Sequence, residues 1–138
     1  MDQDCIFCKI VNGDIPAAKV FENDTIFAFL DIAPVNKGHA LVIPKTHHPT
    51  IFDLPPEIGP ELLKAVALVG KGVMNVTRAT GLNIMQNNFS TAGQLVDHAH
   101  FHLIPRFEDD GLSLWEQKPY DNKNEMSALA EDIANSIK

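Results

Sequence analysis

The stretch DHAHFHLIPR, residues 97–106, alternates in character: His98, His100 and His102 are separated by Ala99, Phe101 and Leu103. Successive side chains of a β-strand point to opposite faces, so this pattern predicts one strand with an apolar face and a face of three imidazoles. Packing against a core explains the apolar face. It does not explain the other, because imidazole fills a core poorly and titrates near neutral pH.

Outward from that strand, the flanking segments read as the rest of an antiparallel sheet. LNIMQNN (82–88) is expected to be a strand, followed by a glycine-containing loop, FSTAGQLV (89–96). KVFEN (19–23) and TIFAFLDI (25–32) read as a hairpin turning near Asn23 and Asp24, and HALVIPK (39–45) as a third, β-branched strand. Between 60 and 80 the period changes. Leu62, Val66, Val69, Val73 and Val76 recur at three- and four-residue steps, the mark of an amphipathic helix, with Pro55-Pro56 before it and Gly81 at its expected stop. Met126, Leu129, Ile133 and Ile137 predict a short C-terminal helix. The expectation is one α+β domain spanning 1–138, with about five antiparallel strands, one long helix and short terminal helices.

Composition narrows the function classes. The chain has 138 residues, 45% of them hydrophobic and 21% charged, as in ordinary globular domains. Its formal charge of -7, spread along the chain, argues against a nucleic-acid polymer as partner, because such proteins carry basic stripes. No apolar run approaches a membrane span, and MDQDCIFCKI lacks the pattern of a signal peptide, so a cytoplasmic protein is expected.

Two chemistries use alternate histidines on a strand. They can ligate a metal such as zinc. Alternatively, one neutral imidazole attacks a phosphorus or acyl centre while its neighbours orient it and assist the leaving group. Spacing alone leaves both open.

HAHFHLI (98–104) resembles the signature of the histidine-triad nucleotide-binding proteins. The likeness extends through CIFCKIVNGDIPA, FAFLDIAPVNKGHALVIPK, GLNIMQNN and AGQLVDHAHFHLIPR, and is strongest to small bacterial members. This resemblance implies a histidine-triad fold, often homodimeric through the long helix and the neighbouring strand. It also implies a hydrolase or transferase acting on the α-phosphate of purine nucleoside phosphoramidates or dinucleoside polyphosphates. By the same resemblance His100 is the nucleophile that forms a nucleotidyl-histidine, His102 contacts the phosphate and helps departure, and His98 and the upstream His39 complete the catalytic set. Asp31 would accept the ribose hydroxyls. Phe7, Ile10, Phe29, Ile32 and Leu41 would line the nucleoside pocket, with Asn87 and Gln94 touching the ribose-phosphate. One departure stands out: Leu95 occupies a position where many relatives carry Ser or Thr.

Cys5 and Cys8 form an isolated C-x-x-C. A redox pair would follow a strand and open a helix, and no strand precedes this one. As half of a zinc site it needs two more ligands, and His47 and His98 would close a structural Cys2His2 tetrahedron. The resemblance supports that set, with His48 as a substitute for His47; two reduced, partly buried thiols are the plain alternative. Two other readings compete with the nucleotide hydrolase: a zinc hydrolase with the triad as ligands, and a nucleotide-binding interaction module with vestigial turnover. Trp115 would either cover the site or pack at a dimer surface.

Overall fold

A computed structural model describes residues 2–138. In chain order these form α1 (Ile6–Asn12), β1 (Lys19–Glu22), β2 (Ile26–Leu30), β3 (Ala40–Pro44), α2 (Gly59–Thr77), β4 (Gly81–Gln86), β5 (Phe101–Arg106) and α3 (Lys123–Ser136). The strands make one antiparallel sheet in the order β1-β2-β3-β5-β4.

Alternation divides the central strands between two cores. Ile26, Ala28, Ala40, Val42 and Leu103 face α2, where Leu62, Ala65, Val66, Val69 and Val73 meet them. Phe27, Phe29, Leu41 and Ile43 face the other way, onto Cys5, Phe7 and Cys8 at the start of the chain. Because β2 and β3 are covered on both faces, they read as continuous apolar runs. Gly70 lets α2 lie close to the sheet: a Cβ there would come within 2.8 Å of Leu82 Cδ2.

The β1–β2 hairpin turns where expected, held by Asn23 Oδ1, which accepts the amides of Thr25 and Ile26. Several boundaries differ from the sequence reading: β2 ends at Leu30, leaving Asp31 and Ile32 beyond it. Helix α2 ends at Thr77 rather than running to Thr80, because Arg78 takes a left-handed conformation (φ 61°) and Thr77 Oγ1 donates to the Val73 carbonyl; Gly81 instead opens β4. Strand β4 ends at Gln86, so Asn87 lies beyond it. Strand β5 begins at Phe101, so His98 and His100 precede the ladder on an extended approach whose Ala99 amide donates to the His48 carbonyl. The C-terminal helix forms, capped by Asn122, but buries none of its residues, and Trp115 before it is exposed. Among the described residues no helix is long and apolar enough to cross a membrane.

Candidate active site

The alternation of the histidine stretch survives the late start of β5. Ala99 and Leu103 are fully buried, with Leu103 in the α2 core, while His98, His100 and His102 all turn toward the α1 side. There the three rings part company.

His98 is fully buried. Its Nε2 lies 2.8 Å from the Pro44 carbonyl, which can only accept, so Nε2 carries the hydrogen. Nδ1 is left bare, 3.4 Å from Cys5 Sγ and 3.6 Å from Cys8 Sγ. His47 Nδ1 stands 3.5 Å from Cys8 Sγ. These four ligand atoms lie within 4.8 Å of one another. Zn–S and Zn–N bonds of about 2.3 and 2.0 Å at the tetrahedral angle separate ligand atoms by roughly 3.5 Å, so this donor set has the chemistry and the approximate spacing to hold zinc. The set includes His47 and not His48, whose Nε2 pairs with Thr46 Oγ1. Both cysteines are free thiols, and burial pushes the Cys5 thiol up from its ordinary value.

His100 Nδ1 lies 2.7 Å from the His98 carbonyl, so its hydrogen points back along the chain and Nε2 is unprotonated. The Phe7 ring stands edge-on to the imidazole, with centroids 5.1 Å apart and planes at 88°. His102 Nδ1 meets His39 Nε2 at 2.9 Å, and Asp31 Oδ2 is 3.6 Å from the same His39 nitrogen. Burial lowers the pKa of all four rings, taking His98 and His102 to about 4. The neighbouring imidazoles push His98 and His102 down further; the Pro44 and His98 carbonyls and Asp31 pull the other way. At neutral pH the cluster is therefore uncharged.

His100 and His102 open onto a cavity of about 570 Å³, a size suited to a small molecule. Phe7, Ile10, Phe29, Asp31, Ile32 and Leu41 all line it. So do Ile6, Ile15, Pro16, Ala17, Ala18, Gly93 and Val96, which the sequence reading did not single out. Ile15 to Ala18 follow the turn after α1, where Gly13, Pro16 and small residues signal a bend but not that the bend becomes a wall. Ile32 and Leu95 are almost wholly exposed at the rim. The cavity thus has apolar walls, one carboxylate, and two imidazoles.

Asn87 and Gln94 are not among the lining residues. The Gln94 side chain is buried and committed to its own loop. Its Nε2 donates to the Pro49 and Val96 carbonyls at 2.6 and 3.0 Å, and its Oε1 accepts the Phe89 amide at 2.7 Å. It thereby sets the path of the loop that carries Gly93, Leu95 and Val96 to the cavity. Asn87 packs beside Gly93, where a Cβ would meet its Nδ2 at 3.4 Å.

The HIT domain family model matches residues 12–109. Among known proteins, the chain is 46% identical over 136 residues to the adenosine 5'-monophosphoramidase hnt1 of Schizosaccharomyces pombe, covering 97% of this chain and 98% of that one. It is 42% identical over 141 residues to Protein hit of Bacillus subtilis, covering 97% of each. Among solved structures, SMU.412c from Streptococcus mutans UA159 superposes with a TM-score of 0.94 at 41% identity, covering 100% of this chain and 88% of that one.

Proposed function

The chain belongs to the HIT domain family, and on that premise we propose that it hydrolyses purine nucleoside phosphoramidates or phosphoanhydrides at the α-phosphate through a nucleotide covalently held on His100. One observation carries the reading. The His98 carbonyl takes the Nδ1 hydrogen of His100, which leaves an unprotonated Nε2 on a ring that lines a nucleoside-sized cavity. In the first step Nε2 attacks the α-phosphorus; the P–N or P–O bond breaks, and the leaving group departs with its electron pair and a proton from water. A second water then attacks the nucleotidyl-imidazole, releasing the nucleoside monophosphate and the free ring. The likeness to the adenosine 5'-monophosphoramidase of S. pombe supports an adenosine substrate. Asp31 at the cavity is suited to the ribose hydroxyls, and Phe7, Ile10, Phe29, Ile32 and Leu41 to the base.

Zinc belongs to the proposal as a structural ion held by Cys5, Cys8, His47 and His98. Such an ion would tie α1 to the approach of β5 and so steady both Phe7 and His100. The reading in which the triad itself holds a hydrolytic zinc fits less well, because the bare nitrogen of His98 turns to the cysteines and away from His102. We also read the protein as a homodimer: Leu63, Leu68 and Val76 on α2, and Ile84 on edge strand β4, are large, apolar and exposed. Sedimentation equilibrium should return twice the 15.2 kDa chain mass. The activity is tested with adenosine 5′-phosphoramidate: wild type should release AMP and ammonia, and His100→Ala should be slower by several orders of magnitude. Equal rates would end the proposal.

A further inference from the structure

His39 lies between two partners that decide which of its nitrogens carries hydrogen. Its Nδ1 is 3.1 Å from the backbone nitrogen of Val35, and a backbone N–H can only donate. Nδ1 is therefore the accepting nitrogen, and the neutral ring holds its hydrogen on Nε2. That Nε2 is 2.9 Å from His102 Nδ1, so His39 donates and His102 accepts. His102 must then keep its own hydrogen on Nε2. Asp31 Oδ2, 3.6 Å from His39 Nε2, favours the same placement. The reverse order would set a hydrogen on His39 Nδ1 against that of Val35. The same logic excludes a cation shared by Asp31, His39 and His102, since His39 has no lone pair left to offer it.

We infer that His39 is a positioning residue that locks His102 into the tautomer with hydrogen on Nε2, so that His102 meets the phosphate as a neutral hydrogen-bond donor and not as the acid that protonates the leaving group. This rests on the proposed function for the identity of the group that His102 meets. It assigns His102 an electrostatic part: its N–H stabilises charge gathering on a phosphoryl oxygen without giving up the proton. Full transfer would leave an imidazolate, whereas a donor held in place needs no change of charge. His39 is buried and is not among the residues that line this cavity, so it acts through its neighbour.

The lock is tested first without substrate, by long-range nitrogen–proton NMR of the imidazoles in the wild-type protein. His102 should show a bare Nδ1 and a protonated Nε2. In His39→Leu, which removes the donor, His102 should become a mixture of tautomers and kcat should fall at least about tenfold with KM little changed. In His39→Gln, whose amide N–H can reach the same nitrogen, both the single tautomer and most of kcat should return. A wild-type His102 carrying hydrogen on Nδ1, or a His39→Leu protein with an unaltered His102 tautomer, would overturn the inference. The expected tautomers in a protein that does not turn over phosphoramidate would support the lock and retire the proposed function, so the two can fail separately.

Discussion

His100 and His98 are joined by a bond that skips one residue: the Nδ1 hydrogen of the first rests on the backbone carbonyl of the second at 2.7 Å. An extended chain makes this possible, because the carbonyl two residues back lies on the same side as the ring. The bond aims one nitrogen inward and frees the other. It also means that whatever holds His98 holds the proposed nucleophile.

The proposed zinc ligands should therefore matter for stability and for activity together. Protein purified without added metal should contain about one equivalent of zinc. Cys8→Ser, at a buried ligand, should lose the zinc and unfold at a lower temperature. Elemental analysis beside a thermal melt checks both; a metal-free wild type with unchanged stability would remove zinc from the account.

Asp31, proposed to bind the ribose, lies at the cavity, while its Oδ1 also accepts the Ala33 amide. Asp31→Ala should weaken binding of a ribonucleoside monophosphate by about tenfold or more, the usual loss of a hydrogen bond to a charged group. Binding of the 2′-deoxy analogue should weaken less. Equal losses by calorimetry would show that the carboxylate acts only on its own turn.

Stability should decline as the solution is acidified from about pH 6.5 toward pH 4. Burial, with His100 and His39 close by, holds the folded His102 at about 4, against about 6.5 for an unfolded histidine. The unfolded chain thus takes up a proton that the folded one refuses, and stability is lost as pH falls through that window. Denaturant midpoints at several pH values should fall less steeply for His102→Asn. Identical pH slopes would mean that the ring titrates normally.

Gly38 just before His39 has φ 99°, and a Cβ there would sit 2.5 Å from Thr77 Cγ2 at the end of α2. Gly38→Ala should cost about 2–4 kcal/mol from strain and overpacking combined. Urea unfolding checks this, and a variant as stable as wild type would deny that the close approach at Gly38 matters.

Much of this site was legible in the chain because its elements announce themselves by period. Alternation in 97–106 marked the three imidazoles as neighbours, and the three- and four-residue steps of α2 marked the opposite face as core. What escaped was the work of groups without a letter of their own. The Val35 amide and the Pro44 carbonyl decide where two histidines keep their hydrogens, and every residue offers such groups. Gln94 escaped for another reason. Its amide suits a ligand as well as it suits a loop, and only its buried contacts show that the loop has claimed it. Helix α2 ends earlier than Gly81 suggests because a non-glycine, Arg78, takes the left-handed turn.

The proposed reaction puts the nucleotide on His100. Rapid-quench incubation with adenosine 5′-phosphoramidate, followed by intact mass measurement under non-acidic conditions, tests it most directly. Wild type should gain and then lose the mass of one nucleotidyl group, while His100→Ala should gain nothing. Turnover by wild type with no adduct at any time would rule out a nucleotide held on His100.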